Sequence, residues 1–260
     1  MPFGKTILPV NPNTAFDRIE RYNPRVNTLF YDSMAKLFDM YYMESKFLDI
    51  CHLGRRLDAF IVEGQENIPQ NGSFIAAPNH RSHLDHAFVG KPIHDATGRH
   101  MNFMAKDGFW TGNLGIICGR IVERGGAFPV KRESDLGIDG QYGVRQHLNK
   151  IFRNNEGLIQ YPEGTRMRKL PDDTLRDPLK TGVAQNSIYY QSSIIPVGIA
   201  GARELDVVSI VFGKQITPPQ VEDPTNYSEM RAPAYELTAE LRESVLQACR
   251  IATELRADRL

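Results

Sequence analysis

Residues 73–86 read Ser73-Phe74-Ile75-Ala76-Ala77-Pro78-Asn79-His80-Arg81-Ser82-His83-Leu84-Asp85-His86. A short apolar run ends at a proline, and a polar loop follows. Ser82 with Asp85 three residues on forms an S-x-x-D capping box, the signal that opens a helix. The passage therefore leaves a strand and enters a helix. The same alternation continues along the chain. Strands are expected over 59–62, 73–77, 102–105, 127–130, 157–161, 194–199 and 207–212, and helices over 83–90, 134–154, 179–191 and 226–257. Strands alternating with helices predict an α/β fold with a largely parallel central sheet flanked by helices. In such sheets, sites gather in the loops beyond the carboxyl ends of the strands.

Before residue 57 the pattern is different. Residues 1–13 are rich in proline and asparagine and read as irregular. A short helix fits 14–23 and stops at Pro24. Residues 26–50 read as a longer amphipathic helix, with Phe30, Met34, Leu37, Phe38 and Tyr41 on one face and Asp32, Lys36 and Asp39 on another. The expected organisation is an N-terminal helical extension over 1–56 and an α/β domain over 57–260.

Composition removes several classes of function. With 31 Lys+Arg against 31 Asp+Glu, the net charge is zero, so charge gives no support to a nucleic-acid partner. Cys51, Cys118 and Cys249 form no C-x-x-C pair, which excludes a zinc ribbon or a dithiol redox motif of that spacing. So sparse and odd a set reads as reduced and intracellular. The first residues, Met-Pro-Phe-Gly-Lys, carry no apolar core of a signal peptide, and no run of about 18 apolar residues marks a spanning helix. The expected location is cytoplasmic or peripheral on the inner face of the membrane.

The loop at 78–86 carries the first chemical constellation. Five steps along one continuous helix would separate His80 from Asp85 by about 140° and about 7.5 Å, too far to meet. Placed in the loop ahead of the cap, His80 can instead fold back over the first helical turn, where Asp85 sits. An imidazole whose Nδ1–H is held by a carboxylate presents a basic Nε2, the orienting half of a hydrolase triad without its serine. That pair suits a general base acting on a substrate hydroxyl. The structural alternative is that Asp85 only closes the capping box. His80, His83 and His86 are spaced by three residues, unlike the i, i+4 pair of the H-E-x-x-H zinc motif, so no metal site is expected.

Two further loops follow strands. Gly125-Gly126-Ala127-Phe128-Pro129-Val130-Lys131-Arg132 delivers two cations to a strand end. Leu158-Ile159-Gln160-Tyr161-Pro162-Glu163-Gly164-Thr165-Arg166 delivers a carboxylate, a flexible glycine, a hydroxyl and an arginine to another. Arginine's planar fork suits a phosphate or carboxylate, and Gly164 permits tight turning and close backbone approach to a ligand. Taken singly, each stretch also reads as solvated edge charge or as a plain turn. Lys180, beside Gly182 at a helix start, offers a further cation. The strand Ser193-Ile194-Ile195-Pro196-Val197-Gly198-Ile199 reads as core packing.

Taken together and in this order, the segments resemble the glycerol-3-phosphate and lysophosphatidate acyltransferase family. His80 and Asp85 match its His-x4-Asp motif. Gly126, Phe128 and Arg132 look like its second block, and Pro162–Arg166 matches its Pro-Glu-Gly-Thr-Arg block. Ile194–Val197 matches its proline-containing apolar strand. The likeness spans about residues 57–215, with two departures: Pro129 replaces an aliphatic residue, and Met167 replaces a small hydroxyl or amide residue. Both lie beside proposed acceptor contacts.

The resemblance implies that His80 and Asp85 are catalytic and that Lys131, Arg132, Glu163, Gly164, Thr165 and Arg166 bind the acceptor. It implies transfer of a fatty acyl group from acyl-CoA or acyl-carrier protein to glycerol 3-phosphate or 1-acylglycerol 3-phosphate in phospholipid synthesis. The carrier is a co-substrate and no cofactor is expected. Amides of the Glu163–Thr165 turn or the His80 loop would hold the oxyanion. Residues 26–50 would supply a membrane-touching helix. Alternatives are a glycolipid or aminolipid acceptor, a thioester hydrolase, and a non-catalytic lipid-binding protein. The chain has no G-x-S-x-G elbow, so a hydrolase would need His80 to activate water directly.

Overall fold

The computed structural model describes residues 58–99, 101–106, 126–130 and 138–260. The expected helices over 14–23 and 26–50, and the cations Lys131 and Arg132, lie outside these residues. The described elements are β1 (Ala59–Glu63), β2 (Phe74–Pro78), α1 (Asp85–Thr97), β3 (Met101–Lys106), β4 (Ala127–Val130), α2 (Ile138–Arg153), β5 (Gly157–Ile159), α3 (Gly182–Tyr190), β6 (Ser193–Ala200), β7 (Val207–Phe212) and α4 (Tyr227–Ala257). They fall into two compact units, one drawn from residues 102–150 and one from residues 44–101 and 151–260.

In the larger unit the described strands run in the order β1-β7-β6-β2-β5. β1 pairs with β7, β6 with β2 and β2 with β5, all parallel. β6 and β7 alone among these are antiparallel. Only residues 201–206 join them, too short a connection for the crossover that a parallel pair requires. Every residue of β2 and of β7 is buried. Such continuous apolar runs suit strands covered on both faces, which explains why they carry no alternation of polar and apolar side chains.

Helix α4 covers part of this sheet by packing on β6 and β7. Its Leu237, Leu241, Val245, Ala248 and Ala252 recur at helical spacing and are all buried. Asn226 caps its start by accepting a hydrogen bond from the Ser228 amide at 3.0 Å. At Gly198 the sheet comes against the helix backbone itself: a Cβ there would lie 2.2 Å from the carbonyl carbon of Ala248. That strand needs glycine for contact, not for its dihedral angles.

Helix α1 outruns its expected end at residue 90 and continues to Thr97 through Pro92. A proline inside a helix costs about 3 kcal/mol. Here Phe88, Val89 and Ile93 are buried around it, and their burial outweighs the lost hydrogen bond. Gly98 then closes the helix in the left-handed conformation.

In the smaller unit, β3 and β4 pair in parallel, with Phe103 opposite Ala127 and Ala105 opposite Pro129. Proline donates no ladder hydrogen bond, and among the described pairings Pro129's strand β4 is paired only with β3. Phe128 is buried, its ring 4.2 Å from that of His147 between centroids.

Candidate active site

The loop between β2 and α1 is fixed at its first residue. Asn79 is fully buried. Its Oδ1 accepts from the Ile199 amide at 2.8 Å and its Nδ2 donates to the Ile199 carbonyl at 2.9 Å. A side-chain amide thereby imitates one more rung of the β2–β6 pairing just as the backbone turns away.

His80 follows. Its Nδ1 lies 2.7 Å from Oδ2 of the fully buried Asp85. That same oxygen accepts from the amides of Arg81 at 2.7 Å and Ser82 at 2.9 Å, while Ser82 Oγ accepts from the Leu84 amide at 3.2 Å. Only the aspartate half of the expected capping box forms, because Ser82 Oγ reaches the Leu84 amide rather than that of Asp85, and one carboxylate oxygen serves both that half and the His–Asp pair. A carboxylate accepts, so Nδ1 carries the proton and Nε2 is the basic nitrogen. The His80 side chain is 17% exposed, enough for a substrate atom to reach it.

Glu163 stands behind this loop with its side chain fully buried. Oε2 accepts from the His80 amide at 2.7 Å and from Arg81 Nη1 at 2.8 Å, and Oε1 accepts from the Arg176 amide at 3.0 Å. Arg81, also buried, continues the network. Its Nη2 donates to the carbonyls of Thr174 at 2.5 Å and Pro171 at 3.4 Å, and its Nε lies 3.8 Å from Asp172 Oδ1. Asp172 in turn accepts from the Gly201 amide at 2.8 Å and from Arg203 at 2.9 Å. Both oxygens of Glu163 are thus engaged inside the protein.

The turn after Glu163 is open to solvent. Gly164 is exposed with φ +68°, a conformation that favours glycine, and its amide donates to the Tyr161 carbonyl at 3.0 Å. Thr165 is exposed and Arg166 half-buried. Among the described residues the Arg166 guanidinium has no hydrogen bond or ion pair. Burial, then the neighbouring Arg168, lower its pKa, and Asp85 opposes them. The Met167 amide donates to the His80 carbonyl at 2.8 Å, which ties this turn to the histidine loop. Only the backbone of Met167 makes that bond, so its departure from the family pattern leaves the link intact.

His80, Asp85 and Glu163 are in direct hydrogen-bonded contact, with Gly164, Thr165 and Arg166 in the adjoining turn. Lys180 is tied to the same segment through its amide, which donates to the Pro162 carbonyl at 2.8 Å. Lys131 and Arg132 lie outside the described residues. The sequence reading missed Asn79, Arg81, Tyr161, Asp172 and Arg176. Tyr161 lies stacked on His80, ring centroids 3.8 Å apart and planes within 19°. Among the described residues, no group of three or more His, Cys, Asp and Glu is placed to hold a metal ion.

Three other histidines are shifted toward the neutral form. Burial pushes His86 down to about 4, and burial followed by the charge of Lys150 does the same to His147. Burial, then Arg166 and Arg168, also lower His83. An unfolded imidazole takes up its proton near 6.5, whereas folded His86 and His147 resist until about 4. Between those values the unfolded chain binds more protons, so stability falls as the solution is acidified from about pH 6.5 to pH 4. Urea unfolding at pH 7 and pH 4.5 checks this, and His147→Gln should reduce the acid loss. An equal loss in that variant would rule out His147 as a contributor.

Comparison with known proteins adds a family and a fold. Residues 59–200, more than half of the chain, match the protein family described as Acyltransferase. The search of curated proteins finds no match. Among solved structures, the chain is similar to the 1-acyl-sn-glycerophosphate (LPA) acyltransferase PlsC from Thermotoga maritima. That likeness has 18% identity and a TM-score of 0.51, and covers 89% of this chain and 88% of that one. It is a likeness of fold.

Proposed function

Because the chain belongs to the acyltransferase family, we propose that it transfers a fatty acyl group from an acyl thioester to a hydroxyl of a phosphorylated glycerol acceptor in phospholipid synthesis. The donor is acyl-CoA or acyl-carrier protein. The acceptor is 1-acylglycerol 3-phosphate in preference to glycerol 3-phosphate. The observation that carries this reading is the 2.7 Å His80–Asp85 pair, beside an arginine with no partner among the described residues. The fold likeness to an enzyme named for acylating 1-acyl-sn-glycerophosphate supports the acceptor class.

In this mechanism His80 Nε2 removes the acceptor's hydroxyl proton as its oxygen attacks the thioester carbonyl. Asp85 orients the ring and stabilises the imidazolium. The tetrahedral intermediate collapses, the C–S bond breaks, and the imidazolium returns the proton to the leaving thiolate. No acyl-enzyme forms, and no cofactor beyond the carrier takes part. Arg166 receives the phosphate, and Gly164 and Thr165 line its approach. Glu163 contributes by holding the loop that carries His80 and the turn that carries Arg166.

The direct test is to incubate the purified protein with acyl-CoA and a panel of hydroxyl acceptors, and to identify products by mass spectrometry. An ester of the phosphorylated acceptor is expected. Free fatty acid alone, or an ester only of an unphosphorylated acceptor, refutes the proposal.

Arg166→Ala is expected to reduce transfer to the phosphorylated acceptor by about 10- to 100-fold, the size of one or two charge-assisted hydrogen bonds. Hydrolytic leakage of the donor should change far less. Lysine at this position should rescue only partly, because it keeps the charge and loses the fork. Equal losses on matched phosphorylated and unphosphorylated acceptors, in a variant that melts normally, would show that Arg166 does not read a phosphate.

No described helix is long and apolar enough to cross a membrane. We place the protein in the cytoplasm, docked peripherally on the inner face of the membrane through the apolar stripe of residues 26–50. That stripe is not flanked by a basic face, so its binding should be mainly hydrophobic and only weakly salt-dependent. Liposome flotation of the intact protein, and of a form lacking 1–56, measures it. Equal behaviour of both forms removes these residues as the anchor.

A further inference from the structure

One hydrogen bond fixes the position of the His80 ring but leaves its orientation open. The imidazole turns about its Cβ–Cγ bond, carrying Nε2 with it, and among the described residues the Nδ1–Asp85 contact is its one polar restraint. Asp85 supplies no second restraint, since its Oδ1 has no hydrogen-bond partner among the described residues and its Oδ2 is shared with two backbone amides.

The missing restraint is Tyr161. It lies two residues past the end of β5, where the strand has stopped and the site begins. Its ring lies flat on the imidazole, centroids 3.8 Å apart and planes within 19°. The Tyr161 carbonyl accepts from the Gly164 amide at 3.0 Å, which closes a turn and anchors the ring's backbone. A flat aromatic face at this distance resists tilting of the imidazole plane about the Cβ–Cγ bond. It also favours the ring once it has gained a proton, because the aromatic face attracts a cation within about 6 Å. That attraction is present when the imidazolium forms and nearly absent before, so it acts on the transition state.

We infer that Tyr161 is a positioning residue: its ring sets the plane of His80 and stabilises the imidazolium, thereby raising kcat without binding either substrate. This rests on the reading of His80 as the general base. The residue acts through its aromatic face, so phenylalanine should serve and leucine should not, although leucine fills similar space.

The test is the pair Tyr161→Leu and Tyr161→Phe, assayed with palmitoyl-CoA and 1-acylglycerol 3-phosphate and observed by NMR of the His80 ring protons. Tyr161→Leu is expected to lower kcat by about 3- to 10-fold, with KM for both substrates within about twofold. Tyr161→Phe should restore kcat. In the intact protein and in the Phe variant the His80 ring protons should feel the ring current of the stacked partner, and they should lose that shift in the Leu variant. Normal kcat in Tyr161→Leu overturns the inference, as does equal damage from Leu and Phe, or a loss confined to KM. Unchanged His80 resonances in Tyr161→Leu overturn it even if the chosen acceptor gives no turnover. His80→Ala, run alongside, separates the two ideas. Retained activity there defeats the base itself, whereas an inactive His80→Ala beside a normal Tyr161→Leu defeats only the role of the tyrosine.

Discussion

His80→Ala should lower kcat by about 100- to 10,000-fold while the protein melts near its normal temperature. Among the described residues the ring has one polar contact, to Asp85, and it is partly exposed, so water can enter the space it leaves. The loop stays in place because Glu163 and Met167 hold His80 by its backbone amide and carbonyl, which alanine keeps. A base that acts only as the proton leaves the acceptor affects kcat more than substrate binding. Near-normal kcat in the purified variant would end the mechanism. Asp85→Asn is expected to be comparably damaging, because an amide can present the wrong partner to Nδ1. That variant also weakens the start of α1, so its kinetics must be read with its stability.

The largest effect on stability is expected from breaking the Arg81–Glu163 pair. Both side chains are fully buried, 2.8 Å apart, and each makes further bonds to the backbone. Removing one charge strands the other out of reach of water, which costs about 3–5 kcal/mol. Glu163→Ala also leaves the amides of His80 and Arg176 without their acceptor. For that reason, replacing both partners with apolar residues should not recover the loss, as it does for simple buried pairs. Glu163→Gln should be milder than Glu163→Ala, since a carbonyl oxygen remains to accept. Denaturant unfolding decides the matter: a loss below about 1 kcal/mol for Glu163→Ala would mean that solvent reaches the pair.

These two predictions draw on different kinds of information. The strands of this fold are apolar runs bounded by turn residues, and the helices carry their own caps, so local pattern places nearly all of them. Asn226 ahead of α4 is an example. The reach of α1 past Pro92 was not legible, because it depends on what packs around Phe88 and Ile93 from elsewhere in the chain. The same holds at the site. His80 and Asp85 lie five residues apart, and their relation follows from loop and helix geometry. Arg81 and Glu163 lie 82 positions apart, and a single arginine in a polar loop reads as solvated until the fold surrounds it. Tyr161 likewise reads as the end of a strand, since nothing local reveals that a histidine from another loop will lie on it. Glu163 stood out in the sequence for its charge, yet its carboxylate faces inward, toward the loop it supports.

The backbone bonds of His80 have a consequence for which molecules can be acylated. Its amide is held by Glu163 and its carbonyl by the amide of Met167, so the residues on either side of Arg166 grip the histidine from both ends. The backbones that carry base and guanidinium are thereby tied to one another. With a phosphate seated on Arg166, this tie works as a gauge. It favours a hydroxyl standing within the arginine side chain's reach of that phosphate, and a guest with a much longer or shorter spacer would be held and left unreacted.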